Sequence, residues 1–312
     1  MNTERIGRGW IATARIALTV VAIALVARWV DASEVWVRLS DLQARWVALA
    51  LTISVAQVAV LAWRWRFTAA RLGIDLPLRT ALAEYYLGIF VNQVLPGGVL
   101  GDVGRAWRHA HTTTLTGPAI RAVILERVTA QIVMCLVAVV SVLFLPWATA
   151  STQAWVLGTA VVLAGVALWA RPRPSASDTP SSRFWLDVDR ACFARDALLP
   201  QLLSSVFVVG SYVAVFVVAA RAVGVQTPLA GILPLVAPVL MTMLVPVTVA
   251  GWGVREAAAA ALWGYVGLAR SEGAAVSVAY GLLVLVSSAP GLLVLMRALF
   301  VDRGRRARPP RA

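Results

Sequence analysis

The sequence contains no lysine, only two cysteines and two histidines, and fifteen acidic residues against 28 basic ones, all arginine, in 312 positions. Charge of either sign is scarce: charged residues make up 14% of the chain, where soluble domains carry about a quarter. Hydrophobic residues supply 60% and the mean hydropathy is +0.80. A soluble globular protein is excluded; the chain is an all-α polytopic membrane protein. Cys135 lies in an apolar run and Cys192 in a polar one, so neither a disulfide framework nor a metal site is expected. No cofactor is expected. His109 and His111, beside Arg108, read as a solvated pair at a membrane end rather than as ligands or a proton relay. The absence of a G-x-x-x-x-G-K-[ST] run argues against ATP hydrolysis by this chain. A formal charge of +13 would suggest nucleic acid in a soluble protein. Here it fits basic cytoplasmic loops facing anionic lipid, and no nucleic-acid partner is expected.

What is present is a series of apolar segments. The arginine-bearing N-terminus leads into Ile11–Val30, long enough to span a bilayer and read as an uncleaved first span. Trp46–Trp63 is the second, ending in Trp63-Arg64-Trp65-Arg66, which reads as an aromatic and basic interfacial anchor. Residues 80–115 are apolar but interrupted, with arginines on both flanks, and read as entering and leaving from the cytoplasm. Ala122–Pro146 and Ala154–Ala170 are the next spans. Residues 171–197 form a cytoplasmic polar loop with Pro172, Pro174 and Pro180; Phe184–Leu199 within it has the character of a surface amphipathic helix or a partner-binding linker. Leu198–Ala220 spans again. Residues 228–268 are interrupted at Pro234, Pro238 and Pro246, and Gly273–Met296 is the last span before a basic tail, 298–312. The expectation is six full spans and two re-entrant broken helices, eight membrane segments, with both termini cytoplasmic. Residues 1–170 form a first repeat (span 154–170 being shared with the second) and 198–297 a second. The host is a bacterial inner membrane.

The two broken segments match each other. Pro96, Val99, Gly101 and Arg105 recur, 150 positions later, as Pro246, Val249, Gly251 and Arg255, so both read Pro-x4-Gly-x3-Arg. The same shift carries the second span onto Leu198–Ala220 and Ala122–Pro146 onto the last span. Charge bias gives the partners opposite directions. Inverted repeats with interrupted helices at corresponding positions point to a secondary-transporter site.

Each interruption frees backbone groups and starts a new helix near Gly101 or Gly253. A helix N-terminus carries unpaired N–H groups and partial positive charge, and glycine admits an anion closely. Arg105 and Arg255 fall in the first turns, where a guanidinium matches phosphate as a planar fork. Asp102 and Glu256 are placed to orient those arginines or to hold a cationic headgroup. Asn92, Gln93, Gly97, Gly98, Gly251, Glu126 and Arg127 complete the expected ligand-binding set, with Pro96 and Pro246 as turn residues. Trp252 reads as packing. Arg105–Asp102 also fits a plain interfacial ion pair, and Glu126-Arg127 either a local pair or a pair facing the bundle interior. No catalytic set of nucleophile and base is visible.

Leu95-Pro96-Gly97-Gly98-Val99-Leu100-Gly101-Asp102-Val103-Gly104-Arg105 resembles the LPG…G(D/E)..R signature of the lysylphosphatidylglycerol synthase transmembrane, or flippase-like, family. Glu126-Arg127 is similar to its ER element, and Pro246 to Glu256 to its second signature. Thr248-Val249-Ala250 departs from the glycine that the family commonly carries after the second proline. The resemblance covers roughly residues 10 to 300. It implies movement of an anionic phospholipid, aminoacylated phospholipid or lipid-linked headgroup between leaflets, with no synthase activity, because no soluble synthase domain fits in this sequence. The alternatives are a secondary transporter of a small anionic solute, an intramembrane lipid-modifying enzyme, and a scaffold acting through the polar loop.

Overall fold

The computed structural model describes residues 3–96, 98–145, 179–244 and 248–306, with single positions at 149, 151 and 154. Gly97, Pro246 and the expected span 154–170 therefore fall outside, or almost wholly outside, the described residues, as does most of the polar loop's first half. The described regular structure is helical: α1 Thr3–Trp29, α2 Ala32–Ser40, α3 Ala44–Arg71, α4 Leu78–Val94, α5 Leu100–His111, α6 Thr116–Leu143, α7 Pro180–Val188, α8 Arg195–Ala222, α9 Leu229–Met241, α10 Val254–Tyr265, α11 Arg270–Ser287 and α12 Ala289–Arg306. Three helices of 28 residues (α3, α6 and α8) and the run Arg270–Phe300 are long and apolar enough to cross a membrane. The pair α1–α2, bent by 98° at Trp29–Ala32, supplies a fifth candidate if it counts as one span.

Chain punctuation explains the helix ends. Asp31 opens α2 by accepting from the Ser33 and Glu34 backbone N–H groups at 3.0 and 3.2 Å. Thr179 and Ser182 cap α7 reciprocally, with Pro180 in its first turn. Residues 184–199 do not form one surface helix as expected. They divide into α7, a π-helical turn Asp189–Phe193, and the start of α8, with Ala194 extended between them. Cys192 is buried in that turn, not in an exposed loop.

α3 and α8 run antiparallel. Gln43 N–H donates to the Ala222 carbonyl at one end (3.2 Å), and Arg71 pairs with Asp196 at the other. The bundle is built around this pair. α3 also packs on α4, α6 and α11, and α8 on α6, α9 and α11; α6 packs on α9, and α12 on α4. α1 lies on α10. The main apolar core, including Phe216, Ile232, Trp263 and Tyr280, fills the space between α8, α9, α10 and α11; a second surrounds Trp65, Tyr85 and Ala122.

Both interrupted segments are sharp reversals. α4 and α5 fold back on each other so closely that a Cβ at Gly101 would stand 1.9 Å from the Gly88 carbonyl oxygen. The second break, before α10, takes three left-handed residues: Ala250 at φ 50°, Gly251 at 77° and Gly253 at 85°. Ala250 lies in the stretch where the sequence departs from glycine, so this turn holds an L-residue in a conformation costing about 1–2 kcal/mol. The two reversals meet: Pro96 and Val249 form an isolated antiparallel bridge. α1 covers the junction, its Thr19 hydroxyl accepting from the Val249 N–H at 2.9 Å.

Gly101→Ala forces backbone apart in the α4–α5 reversal and is expected to destabilise by about 3 kcal/mol or more, the upper end of overpacking costs. Gly210→Ala, in the middle of α8 with open space at its Cβ, is expected to be neutral or mildly stabilising. Thermal unfolding of the detergent-solubilised variants separates the two.

Candidate functional site

The reversals enclose a cavity of about 440 Å³ whose wall is built from α3, α4, α5, α6, α8, α9 and α11. Its polar lining comes from Gln57, Asn92, Gln93, Asp102, Glu126, Arg127, Gln131, Tyr212, Tyr280 and Ser287; Val58, Leu61, Ile89, Met134 and Leu240 are among the apolar residues facing the same space. Gly98 lies at its rim on the first reversal.

An ionic cluster stands behind the polar wall. Asn92 accepts from the Gly101 N–H at 2.7 Å, occupying one of the unpaired donors that open α5, and donates to Asp102 at 3.0 Å. Asp102 pairs with Arg127 and, at 3.1 Å, with Arg105. Arg105 is fully buried; its guanidinium carbon stands 3.9 Å from the Tyr85 ring centroid and 4.5 Å from that of Trp65. The same guanidinium donates to Glu126 at 3.3 Å, and the Tyr85 hydroxyl donates to that carboxylate too. Arg64, also fully buried, donates to Ser205 at 2.6 Å, to Thr129 at 2.8 Å and to the Glu126 carbonyl at 3.2 Å. Its Nε lies 3.8 Å from the Glu126 carboxylate. The Arg105 Nε and Nη1 have no hydrogen-bond partner.

The second reversal carries a smaller cluster. Arg255 is fully buried and donates to Glu256 at 2.7 Å and to Ser277 at 2.9 Å. Ser277 donates to the same carboxylate at 3.0 Å, and the other Glu256 oxygen accepts from the Gly253 N–H at 2.6 Å. The guanidinium lies 5.1 and 5.3 Å from the Trp252 and Tyr280 rings. Gly281 makes the room: a Cβ there would stand 2.3 Å from the guanidinium.

Arg105 and Arg255, expected to meet the ligand from the first turns of their helices, do not present their guanidiniums to the cavity. Neither lines it, because aromatic rings cover both and neighbouring carboxylates hold them; Glu256 is likewise engaged in capping α10. The cation at the cavity wall is Arg127, whose side chain is 43% exposed. Glu126 and Arg127 do not pair with each other: the carboxylate turns inward to Arg105 and Arg64, the guanidinium towards Asp102 and the cavity. Asn92, Gln93, Gly98 and Asp102 line the cavity as a group, whereas Gly101, Gly251 and Gly253 shape the turns.

Other expectations also change. Of Trp63-Arg64-Trp65-Arg66, read as an interfacial anchor, only Trp63 and Arg66 are exposed; Arg64 and Trp65 turn inward and are fully buried. Partners from α6 and α8 permit that burial. His109 is not solvated: it is buried with its ring 5.0 Å from that of Trp65, and only His111 is exposed. Glu84 pairs with Arg108 at 2.6 Å. Sequence reasoning missed Arg64, Tyr85, Gln57, Gln131 and Tyr212. An arginine inside an apolar helix was the available signal for Arg64; the others carried none.

Glu126→Ala leaves two buried arginines without their shared counterion and is expected to cost about 3–5 kcal/mol. Glu84→Ala breaks a partly exposed pair and is expected to cost at most about 1 kcal/mol. Denaturation of the purified variants gives both values.

Comparison with curated proteins finds no match. The family model described as the lysylphosphatidylglycerol synthase TM region matches residues 12–291, which include both reversals, the ionic cluster and every cavity-lining residue named above. On that match, the chain belongs to the lysylphosphatidylglycerol synthase transmembrane-region family.

Proposed function

We propose that the chain is a lipid translocase of a bacterial cytoplasmic membrane that moves an anionic lipid, headgroup first, through the cavity between the two reversals. One observation carries this reading: the cavity combines charge with apolar surface, since Asp102, Glu126 and Arg127 line it, backed by the buried Arg64 and Arg105, together with Val58, Leu61, Ile89, Met134 and Leu240. A charged headgroup and the start of an acyl chain need those two surfaces together. A small anionic solute has no use for the apolar one, which favours the lipid. The chain acts by binding and moving its substrate, not by altering it covalently.

The packing supports an inverted internal repeat. α3, α4, α5 and α6 correspond to α8, α9, α10 and the run α11–α12. Each contact within the first set has its counterpart in the second: α3 with α4 and α8 with α9, α5 with α6 and α10 with α11. The contacts between sets are reciprocal as well, α6 on α9 and α12 on α4, α6 on α8 and α11 on α3. Such reciprocity is what a two-fold relation produces. The antiparallel course of α3 and α8 is in keeping with an axis in the membrane plane, about which the α4–α5 and α9–α10 reversals would dip from opposite faces as re-entrant elements. Together with the span expected at 154–170, this gives six crossings and two re-entrant elements. The ends carrying Arg71, Arg108, Arg121 and Arg190 face the cytoplasm. Rocking of the two halves about the Pro96–Val249 junction would open the cavity to each side in turn.

In proteoliposomes bearing acyl-labelled phosphatidylglycerol in one leaflet, the full chain is expected to equalise the leaflets. Arg127→Gln should slow this by on the order of tenfold, the loss of one charge-assisted contact. Soluble glycerol phosphate should compete weakly. Strong competition by it would favour the solute transporter, an altered lipid in the mass spectrum the enzyme, and unassisted rates would sink the proposal.

A further inference from the structure

We propose that the cavity selects a headgroup carrying one negative charge and free hydroxyl groups (a phosphodiester of a polyol or sugar) and rejects headgroups bearing an ammonium. The transport arm of this inference rests on the translocase reading; the binding arm does not.

The first observation is a charge count. Arg64, Arg105 and Arg127 face Asp102 and Glu126; Arg127, Asp102 and Glu126 line the cavity, the two buried arginines stand behind them, and no other ionic side chain among the described residues lines it. Arg255 and Glu256 cancel each other. The cluster therefore carries one uncompensated positive charge in a setting where uncompensated charge is expensive. A phosphodiester supplies one negative charge. A phosphomonoester brings up to two at neutral pH and leaves the cluster over-neutralised. A zwitterion brings none in sum, and an aminoacylated phosphodiester with two amines adds a positive charge.

The second observation is that the acids are already taken. Asp102 accepts from Arg105 on one oxygen, and from Arg127 and Asn92 on the other. One Glu126 oxygen accepts from Tyr85 and Arg105. The other is enclosed and faces Arg64 at 3.8 Å. An ammonium entering the cavity meets Arg127, and both carboxylates at the wall are already shared among the three arginines.

The third observation is what is left over. The Gln93 Oε1 is buried without a hydrogen-bond partner, an acceptor waiting for a donor. The Gln131 amide has only sulfur neighbours, Met241 Sδ at 3.6 Å and Cys135 Sγ at 4.0 Å. Gln57 donates to Ser211 at 2.8 Å from the same wall. Carboxamides beside a lone cation bond well to hydroxyl groups, which donate and accept without adding charge. A buried acceptor with no partner is destabilising, and a ligand hydroxyl that reaches it relieves that cost.

The test uses four short-chain lipids on the full-length purified chain: phosphatidylglycerol, phosphatidylmethanol (one negative charge, no hydroxyl), phosphatidylethanolamine and the lysyl ester of phosphatidylglycerol. Each is titrated while the unfolding temperature is followed. Phosphatidylglycerol is expected to stabilise at concentrations about tenfold below the two ammonium lipids, and severalfold below phosphatidylmethanol. Arg127→Gln should erase the first preference and leave the second. Gln93→Leu should do the reverse; both residues lie at the cavity wall, and retained unfolding temperatures without lipid establish that the variants fold. Equal or tighter binding of either ammonium lipid overturns the charge assignment, and equality of phosphatidylglycerol and phosphatidylmethanol overturns the hydroxyl assignment. The same lipids, acyl-labelled and reconstituted, separate the two proposals: preferential binding of phosphatidylglycerol with no transfer removes the translocase reading and leaves the headgroup assignment standing.

Discussion

The carboxylate of Glu126 is the shared counterion of two fully buried arginines, and the N-terminal half of the bundle depends on it. Arg64 comes from α3, Arg105 from α5, and Tyr85, which donates to the same carboxylate, from α4. An arginine buried in an apolar bundle without a counterion is prohibitive. Glu126 therefore ties α3, α4 and α5 to α6. The next residue, Arg127, can then stand at the cavity wall, because the turn of the helix aims it elsewhere while Asp102 holds it.

The two reversals hold their arginines differently. Both reversals place an arginine early in the helix that follows and cover it with aromatic rings. In the second half Glu256 and Ser277 satisfy that arginine locally, and the carboxylate also caps α10. In the first half the counterions are spread over α5 and α6, the arginine keeps two unpaired nitrogens, and an additional arginine enters from α3. The first half thus supplies the net charge of the site. The second contributes Tyr212, Leu240, Met243 and Tyr280 to its wall.

Much of this was legible in the residue order. Pro96, Gly98 and the Pro-x4-Gly-x3-Arg repeat marked both reversals, and the long apolar runs marked α3, α6 and α8. Asn92 and Gln93 stood out as polar residues leading into the helix break, and Asp102 as the acid beside Arg105; all three line the cavity. The direction of each arginine was not legible. Arg105 and Arg127 look alike in sequence, yet one lies under two rings and the other at an opening, and those rings come from positions 20 and 40 residues upstream. Arg64 sat among tryptophans and so resembled an anchor, since its partners at Thr129 and Ser205 are distant in the chain. Gln57 and Gln131 carry no local signal; only the closing of four helices puts them on one surface.

The junction between the reversals, where Pro96 pairs with Val249, is made by main chain. A contact of that kind is indifferent to the side chains it carries. What it constrains is torsion and length: where the chain turns left-handed, and how many residues separate the turn from the helix that follows. An inserted or deleted residue there would slip the bridge and swing the helix that follows, whereas a side-chain exchange is felt mainly where a left-handed torsion, as at Gly98 or Ala250, has to be kept.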